Sequence, residues 1–164
     1  MLVLTLWLIL FLLLGGLLGV NIYGVIVLQD LQSDLINPHD CANRINALVV
    51  PEFVGQAVCS GLLTLTCPWS WLGVVLVLVH LPITAFHAKL FATQEHVVHV
   101  TDVFAKMDVE KNRRGVKMGV YVATFVCVVY ASVETAVNSF LTPEGKAQAA
   151  EFFKEAMTNN LHHF

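Results

Sequence analysis

The first 28 residues contain no charged side chain, and this run constrains the fold more than any other feature. About 20 apolar residues suffice for a helix to cross the roughly 30 Å hydrocarbon core of a bilayer. The run is longer than the apolar part of a signal peptide, and no Lys or Arg precedes it. We therefore expect it to remain in the mature protein as a membrane span.

Two further apolar runs predict a helical hairpin. In residues 45–67 the only charged side chain is Glu52, and because Pro51 directly precedes it, we expect a helix to start there. Residues 72–86 are apolar again. Residues 68–71 between the two runs contain a proline and two tryptophans, which predicts a tight turn at the membrane interface.

A fourth apolar run, residues 118–137, is interrupted only by Glu134 near its end. The chain is 57% hydrophobic and 13% charged, whereas a soluble domain carries about 25% charged residues. The predicted fold class is therefore an all-α membrane protein, a bundle of four transmembrane helices. The predicted spans are about 4–28, 50–67, 72–90 and 117–137.

The basic residues predict which loops face the cytosol. Seven of them lie in or beside two loops: Arg44, Lys89, Lys106, Lys111, Arg113, Arg114 and Lys117. Because Lys and Arg concentrate on the cytosolic side, loops of about 29–49 and 91–116 are predicted to be cytosolic and both termini lumenal or extracellular. Residues 142–164 would form a lumenal tail, in which Pro143 predicts a short amphipathic helix. Its apolar edge would be Phe152, Phe153 and Ala156.

Several classes of function are disfavoured. A pI near 6.1 and a net charge of -3 lack the basic excess on which nucleic-acid binding depends. The scattered cysteines indicate neither a disulfide scaffold nor a zinc site. No catalytic motif is found, and Glu52 and Glu134 are predicted to lie near opposite membrane faces, so we expect neither an enzyme nor a cofactor.

The histidines leave transport open as a weaker alternative. His80 and His87 would share a face of the third helix, but residues 70–86 contain no acid to pair with them. A relay or ion site normally brings several ionisable groups together within the bilayer. His96 and His99 form a lone HxxH without cysteine ligands, so no metal site is predicted.

Three pairs of small residues, each four positions apart, predict close helix packing. The pairs are Gly15 with Gly19, Gly55 with Cys59, and Ala57 with Gly61. Packing within the bundle is favoured, and a groove for a partner's transmembrane helix is the alternative.

The third loop combines its basic cluster with an apolar patch of Val103, Phe104 and Met107. Val103 and Met107 would share one face of a helix. From these residues alone, an interfacial helix resting on anionic lipid is favoured over a linear motif recognised by a cytosolic coat.

A longer motif runs from the first loop into the second helix. It reads DLxxDxxNP, then C, then NxLVxPE, and its residues are Asp30, Asp34, Asn37, Pro38, Cys41, Asn46, Pro51 and Glu52. This pattern is similar to the signature of the cornichon family of cargo receptors, and the similarity continues at Leu81-Pro82 and Ala85-Phe86-His87.

The resemblance implies a non-catalytic receptor that selects transporters, channels and receptors as membrane-protein cargo for COPII vesicles. Such a protein would reside in the endoplasmic reticulum (ER) membrane and cycle to the Golgi. The alternative is a stable auxiliary subunit that modulates the trafficking and gating of a channel or transporter, and persistence of the complex beyond the Golgi would distinguish the two. Self-association is left open.

The resemblance also assigns two sets of residues. Coat binding is expected at Asp102, Val103, Phe104, Ala105, Lys106 and Met107, which reverses the preference for lipid there. Cargo binding is expected around Leu62, Leu63, Thr64 and Leu65.

Overall fold

Four long helices, with short connections, make up residues 2–141. The computed structural model describes residues 2–141, 143–147, 150, 151, 154 and 157. The helices are α1 (Leu2–Gln32), α2 (Pro38–Thr66), α3 (Trp71–Ala92) and α4 (Val103–Leu141), and a 3₁₀ turn, Val100–Asp102, leads into α4. Each of the four is long and apolar enough to cross a membrane, which confirms the predicted all-α, four-helix architecture.

The short connections make the helix directions alternate. We call the end with residues 33–37 and 93–99 the loop end, and the end with residues 67–70 the turn end. α1 packs most extensively on α4 and α2, α2 also packs on α3, and α3 touches α4 only lightly. The larger apolar core lies toward the turn end and includes Trp7, Leu10, Leu14, Leu63 and Val128.

α1 ends in a hydrogen-bonded turn that explains one acidic residue of the motif, Asp34. Asp34 adopts a left-handed backbone conformation with φ of 55°. The amide of Leu35 donates to the carbonyl of Asp30 at 2.8 Å, and the amide of Asp34 donates to Leu31. Asp tolerates this conformation better than most side chains, so Asp34 takes the place that Gly usually has in such helix ends.

α2 begins at Pro38, and the expectation that a helix starts at Pro51 is wrong. The side chain of Asn37 accepts a hydrogen bond from the amide of Asp40 at 2.8 Å, and Pro38 occupies the first helical turn, where its missing N–H costs nothing. Pro51 lies inside the helix. Helix interiors in membranes tolerate proline because neighbouring groups satisfy the freed carbonyl.

α4 also begins earlier than the sequence indicated. It starts at Val103 and runs for 39 residues, so most of the predicted third loop is helical. Lys, Arg and Glu are good helix formers, and hydropathy marks where a helix can enter the membrane, not where it starts. In the tail, residues 143–147, 150, 151, 154 and 157 are helical. The expected apolar edge, Phe152, Phe153 and Ala156, lies outside the described residues.

The tight turn expected between α2 and α3 is present. The amides of Trp69 and Ser70 each donate to the carbonyl oxygen of Thr66 at 3.1 Å. A Cβ atom at Gly73 would lie 3.1 Å from the backbone carbonyl carbon of Thr66. The absence of a side chain at Gly73 therefore lets α3 turn back directly onto α2.

Candidate functional site

Four ionisable side chains from three helices meet near the loop end. Glu52 of α2 is only 1% exposed and accepts a hydrogen bond from the Lys117 ammonium of α4. The Arg114 Nη1 lies 3.5 Å from the other carboxylate oxygen, and the His87 Nε2 of α3 lies 4.0 Å from the first. We call Glu52, His87, Arg114 and Lys117 the Glu52 cluster.

The cluster corrects the interpretation of the histidines. The expectation that His87 has no acidic residue to pair with is wrong, because Glu52 approaches it from the neighbouring helix. His87 also stacks on Phe53, with ring centroids 4.1 Å apart. Ionisable groups therefore do come together in the bundle, which is the arrangement that the sequence of α3 alone did not indicate.

The Arg114 side chain enters the bundle interior beside Gly24 of α1, where no Cβ atom blocks it. A Cβ atom at Gly24 would lie 2.8 Å from the Arg114 Cζ, so any larger residue would displace the guanidinium. One carboxylate, Glu52, thus faces two cationic side chains, Arg114 and Lys117. Removing one member of such a buried set leaves an uncompensated charge, which is costly.

A hydrogen-bonded ladder of neutral polar groups continues from the cluster toward the turn end. The Gln56 amide contacts the His80 ring at 3.2 Å, and the other ring nitrogen of His80 contacts the Thr124 hydroxyl at 2.9 Å. The hydroxyls of Ser60 and Thr84 lie 2.7 Å apart. His80 is therefore a buried histidine with partners from α2 and α4, and it holds three helices together.

Several buried polar atoms near the cluster have no hydrogen-bond partner within the described part of the chain. They include both side-chain atoms of Asn21, the Nε of Arg114 and the hydroxyl of Tyr121. Unpaired polar groups in an apolar interior each cost free energy. Both ring nitrogens of His87 and the Nη1 of Arg114 also belong to this set. Within the described structure, Lys117 therefore hydrogen-bonds Glu52, while Arg114 and His87 face the carboxylate at 3.5 and 4.0 Å.

Within the described structure, His96 and His99 form no ion pair with the cluster carboxylate. The His96 ring stacks on Phe91, with centroids 4.7 Å apart, and His99 precedes the 3₁₀ turn. Among residues 2–141 and the described part of the tail, no group of three or more His, Cys, Asp or Glu side chains could hold a metal ion.

Asn46 fastens the α3–α4 connection to α2. Its side-chain nitrogen donates to the carbonyl of Val98 at 3.0 Å, and its side-chain oxygen accepts from the amide of Val98 at 2.9 Å. Next to this clamp, Cys41 and Ile45 pack with Val98 and Val103 in a second apolar cluster. The motif residues Cys41 and Asn46 therefore act in positioning the start of α4.

The expected coat-binding stretch, residues 102–107, forms the start of α4 and has two faces. Val103 is 1% exposed and Met107 packs against the same apolar cluster, whereas Phe104 is 56% exposed. Ala105 and Lys106 are also exposed, and the Lys106 ammonium lies 3.8 Å from the Asp102 carboxylate. The structure thus brings the six residues together but leaves only part of them accessible.

The expected cargo-binding residues do not share one face either. Leu63 lies in the apolar core, and Leu62 packs against it. Thr64 and Leu65 are exposed on the outer side of α2, and the Thr64 hydroxyl donates to the carbonyl of Ser60.

The small-residue pairs divide between the two alternatives. Gly55 packs on α1, where an added Cβ atom would lie 3.0 Å from Leu17, and Cys59 is buried. Gly15 and Gly19 have open space around them within the described structure, and Ala57 and Gly61 are exposed. Packing within the bundle is thus correct for one pair, while the other two pairs face outward.

Comparison with known proteins identifies the family. The cornichon protein family model matches residues 3–130, which include the Glu52 cluster and the start of α4. The chain belongs to the cornichon family. It is accordingly a multi-pass membrane protein, with four helices that can cross a membrane.

Individual relatives agree with this assignment. Protein cornichon homolog 2 of Oryza sativa subsp. japonica is 37% identical over 139 residues, covering 84% of this chain and 89% of the relative. Protein cornichon homolog 4 of Arabidopsis thaliana is 33% identical and covers 82% of this chain and 94% of the relative. ER-derived vesicles protein erv14 of Schizosaccharomyces pombe is 30% identical and covers 76% and 87%, respectively. No solved structure matches the chain significantly.

The Glu52 cluster is the part of this cornichon-family structure that sequence reasoning missed. The usable signal was the presence of ionisable residues at the edges of three different apolar runs: Glu52, His87 and Lys117. Polar residues at membrane depth face one another in most helical bundles, because lipid does not solvate them.

Proposed function

We propose that this cornichon-family protein is a transmembrane receptor that selects membrane-protein cargo for export from the ER in COPII vesicles. The observation that carries the proposal is family membership over most of the chain, together with relatives named as ER-derived vesicles proteins. Names in the family thus describe traffic out of the ER.

In this proposal the loop end faces the cytosol and both termini face the lumen. The basic residues Lys89, Lys106, Lys111 and Arg113 lie at or beside the loop end, as the positive-inside rule requires for a cytosolic face. A cytosolic coat would therefore meet the start of α4.

The coat would contact the outer face of residues 102–107. Phe104 offers an exposed aromatic ring on the first turn of a helix, with the Asp102–Lys106 pair beside it. Val103 and Met107 fix this turn to the bundle, so their role is to present Phe104 rather than to contact the coat. Large aromatic side chains commonly contribute most of the free energy of such small interfaces.

Cargo would bind on the outer face of α2. Thr64 and Leu65 are exposed there, as are Val54 and Val58 nearer the loop end. Helices associate in lipid through close packing and occasional hydrogen bonds of about 0.6 to 2 kcal/mol each. Capture through such a surface is weak and reversible, which suits a receptor that must release its cargo.

The experiment is COPII budding in vitro from membranes that contain the full chain. Phe104→Ala is expected to reduce packaging of the protein into vesicles without lowering its melting temperature, because the ring is exposed. The matched control is Val109→Ala, which removes another exposed apolar side chain from the same helix. Packaging of Phe104→Ala equal to that of the wild type would contradict coat binding at this face.

A further inference from the structure

A groove between α3 and α4 opens beside the Glu52 cluster. Its volume is about 330 Å³, and its walls are Pro82, Ile83, Phe86, Asn112, Arg113, Val116 and Lys117. It exists because α3 and α4 touch only lightly along their length. Neither coat binding nor cargo capture on α2 uses this side of the molecule.

The groove is apolar along its length and cationic at its loop end. Ile83, Phe86 and Val116 provide the apolar wall, and Arg113 stands toward the loop end of the groove. Lys117 lies one residue beyond Val116, and its ammonium pairs with Glu52. The Arg113 guanidinium carbon lies 5.5 Å from the centre of the Phe86 ring. The groove thus has its charge at the loop end and its apolar wall toward the turn end. This order matches the headgroup and the acyl chain of a phospholipid.

The Arg113 guanidinium at the rim of the groove favours an anionic ligand. Arg113 donates from one terminal nitrogen to Glu110 at 3.0 Å, and a guanidinium carries five N–H donors, so most of its donors remain for a ligand. Glu110 pairs with Arg113, and Glu52 pairs with Arg114 and Lys117. Glu95 lies beside the same three cations, so the preference for an anion comes from the free donors of Arg113 and not from an excess of positive charge.

We propose that this groove binds a phospholipid with an anionic headgroup, whose acyl chain lies along Ile83 and Val116 and whose phosphate meets Arg113. Basic pockets between transmembrane helices on the cytosolic side are typical sites for anionic headgroups. A protein helix in the same place would cover Arg113 with apolar side chains and leave its remaining N–H donors without acceptors, so a lipid phosphate is the occupant that fits these donors.

The test is native mass spectrometry of the purified full-length protein with phosphatidylcholine, phosphatidylserine or phosphatidylinositol of matched chain length. The wild type is expected to retain the two anionic lipids about fivefold more than phosphatidylcholine, the ratio expected for one basic contact near the membrane surface. Arg113→Gln should abolish this preference. Its control, Lys111→Gln, should retain the preference, because Lys111 contacts Gln29 and Gln32 on the side of α1.

A second variant separates a bound lipid from a bound headgroup. Val116→Trp should fill the groove and reduce retention of all three lipids, whereas Val126→Trp, at an exposed position of α4 outside the groove, should not. Equal retention of the three lipids by the wild type, or an unchanged preference in Arg113→Gln, would mean that ordinary annular lipid covers the groove. Displacement of phosphatidylinositol by glycerophosphoinositol at equal concentration would place the affinity in the headgroup alone and overturn the acyl-chain site.

Discussion

The two halves of the bundle interior both contain buried apolar side chains, but they differ in buried charge. Near the turn end, Leu10, Leu14 and Leu63 are completely buried in an apolar core. Near the loop end, the same helices enclose Glu52 and Arg114, and both are almost completely buried as well. Both halves are closed to solvent, but among the residues that the structure describes only the loop-end half buries charged side chains.

This difference indicates what determines the rotation of each helix about its own axis in a membrane. Lipid is as apolar as leucine, so burying Leu63 between helices gains packing but little hydrophobic free energy. A carboxylate and two cations, in contrast, have few alternative partners in lipid, and they pair in one rotation of α2 and α4 only. We therefore expect the Glu52 cluster to set the rotation of the helices and the apolar half to fill the space between them.

The largest expected effect is that of Glu52→Gln. The substitution keeps the size of the side chain but leaves Arg114 and Lys117 buried without a counter-charge, at a cost of about 3 to 5 kcal/mol. Thermal unfolding of the purified protein in detergent measures the loss. The control is Glu134→Gln at the turn end, where the carboxylate is exposed and little change is expected. Equal melting temperatures for the two variants would contradict the prediction that the buried charges stabilise the loop-end half.

The apolar half is tested by Leu63→Ala. The side chain is fully buried, and the cavity should lower the free energy of unfolding by about 3 kcal/mol. Leu65→Ala removes the same atoms from the outer face of α2, where the side chain is 54% exposed, and should cost much less. If both variants lose the same stability, the core near the turn end is not close-packed.

Asn46→Ala tests the hydrogen bonds between Asn46 and Val98 independently of the Glu52 cluster. The substitution removes both hydrogen bonds to Val98 and should cost about 2 kcal/mol, because the two backbone groups lose their partner. Limited proteolysis of residues 93–99 should accelerate more than global unfolding does. Asn43→Ala, which removes an exposed side chain that contacts the ring of His39, is the control. A proteolysis rate unchanged from wild type would show that Val98 is held by its packing alone.

The smallest effect is expected for Tyr121→Phe. The hydroxyl is buried without a hydrogen-bond partner in the described part of the chain, so its removal should change the free energy of unfolding by less than about 0.5 kcal/mol or stabilise the protein slightly. Tyr130→Phe, at an exposed position of the same helix, provides the reference in thermal unfolding. A marked loss of stability in Tyr121→Phe would reveal a partner of the hydroxyl, such as an ordered water molecule.

The number of helices could be predicted from the sequence, but not where each begins. The uncharged first 28 residues and the apolar run before Cys67 required spanning helices, whatever the rest of the chain does. The start of α2 was missed because Pro51 gave a plausible helix start within the apolar run, while the actual cap, Asn37 with Pro38, stands in a polar segment. The start of α4 was also missed, because its first turns are helical but carry charged side chains.

The candidate site was predicted in part. The stretch of residues 102–107 was located as one unit, and Val103 and Met107 do lie on one face, but that face packs on the bundle. Which side of a helix is covered depends on the neighbouring helix, and periodicity cannot distinguish a covered apolar face from one that awaits a partner. The same limitation applied to the outward pair of Gly15 and Gly19 and the inward pair of Gly55 and Cys59.

The sequence by itself determined that this protein has four apolar helices, a hairpin at Pro68 and a cornichon-type motif, because apolar length, turn residues and motif spacing are local properties of the chain. Only the tertiary structure decided that Glu52 meets His87, Arg114 and Lys117, and that a groove opens next to them between α3 and α4. Those contacts depend on how each helix is rotated and where it is placed against its neighbours. In a membrane this rotation is set by the pairing of polar groups that lie far apart in the chain.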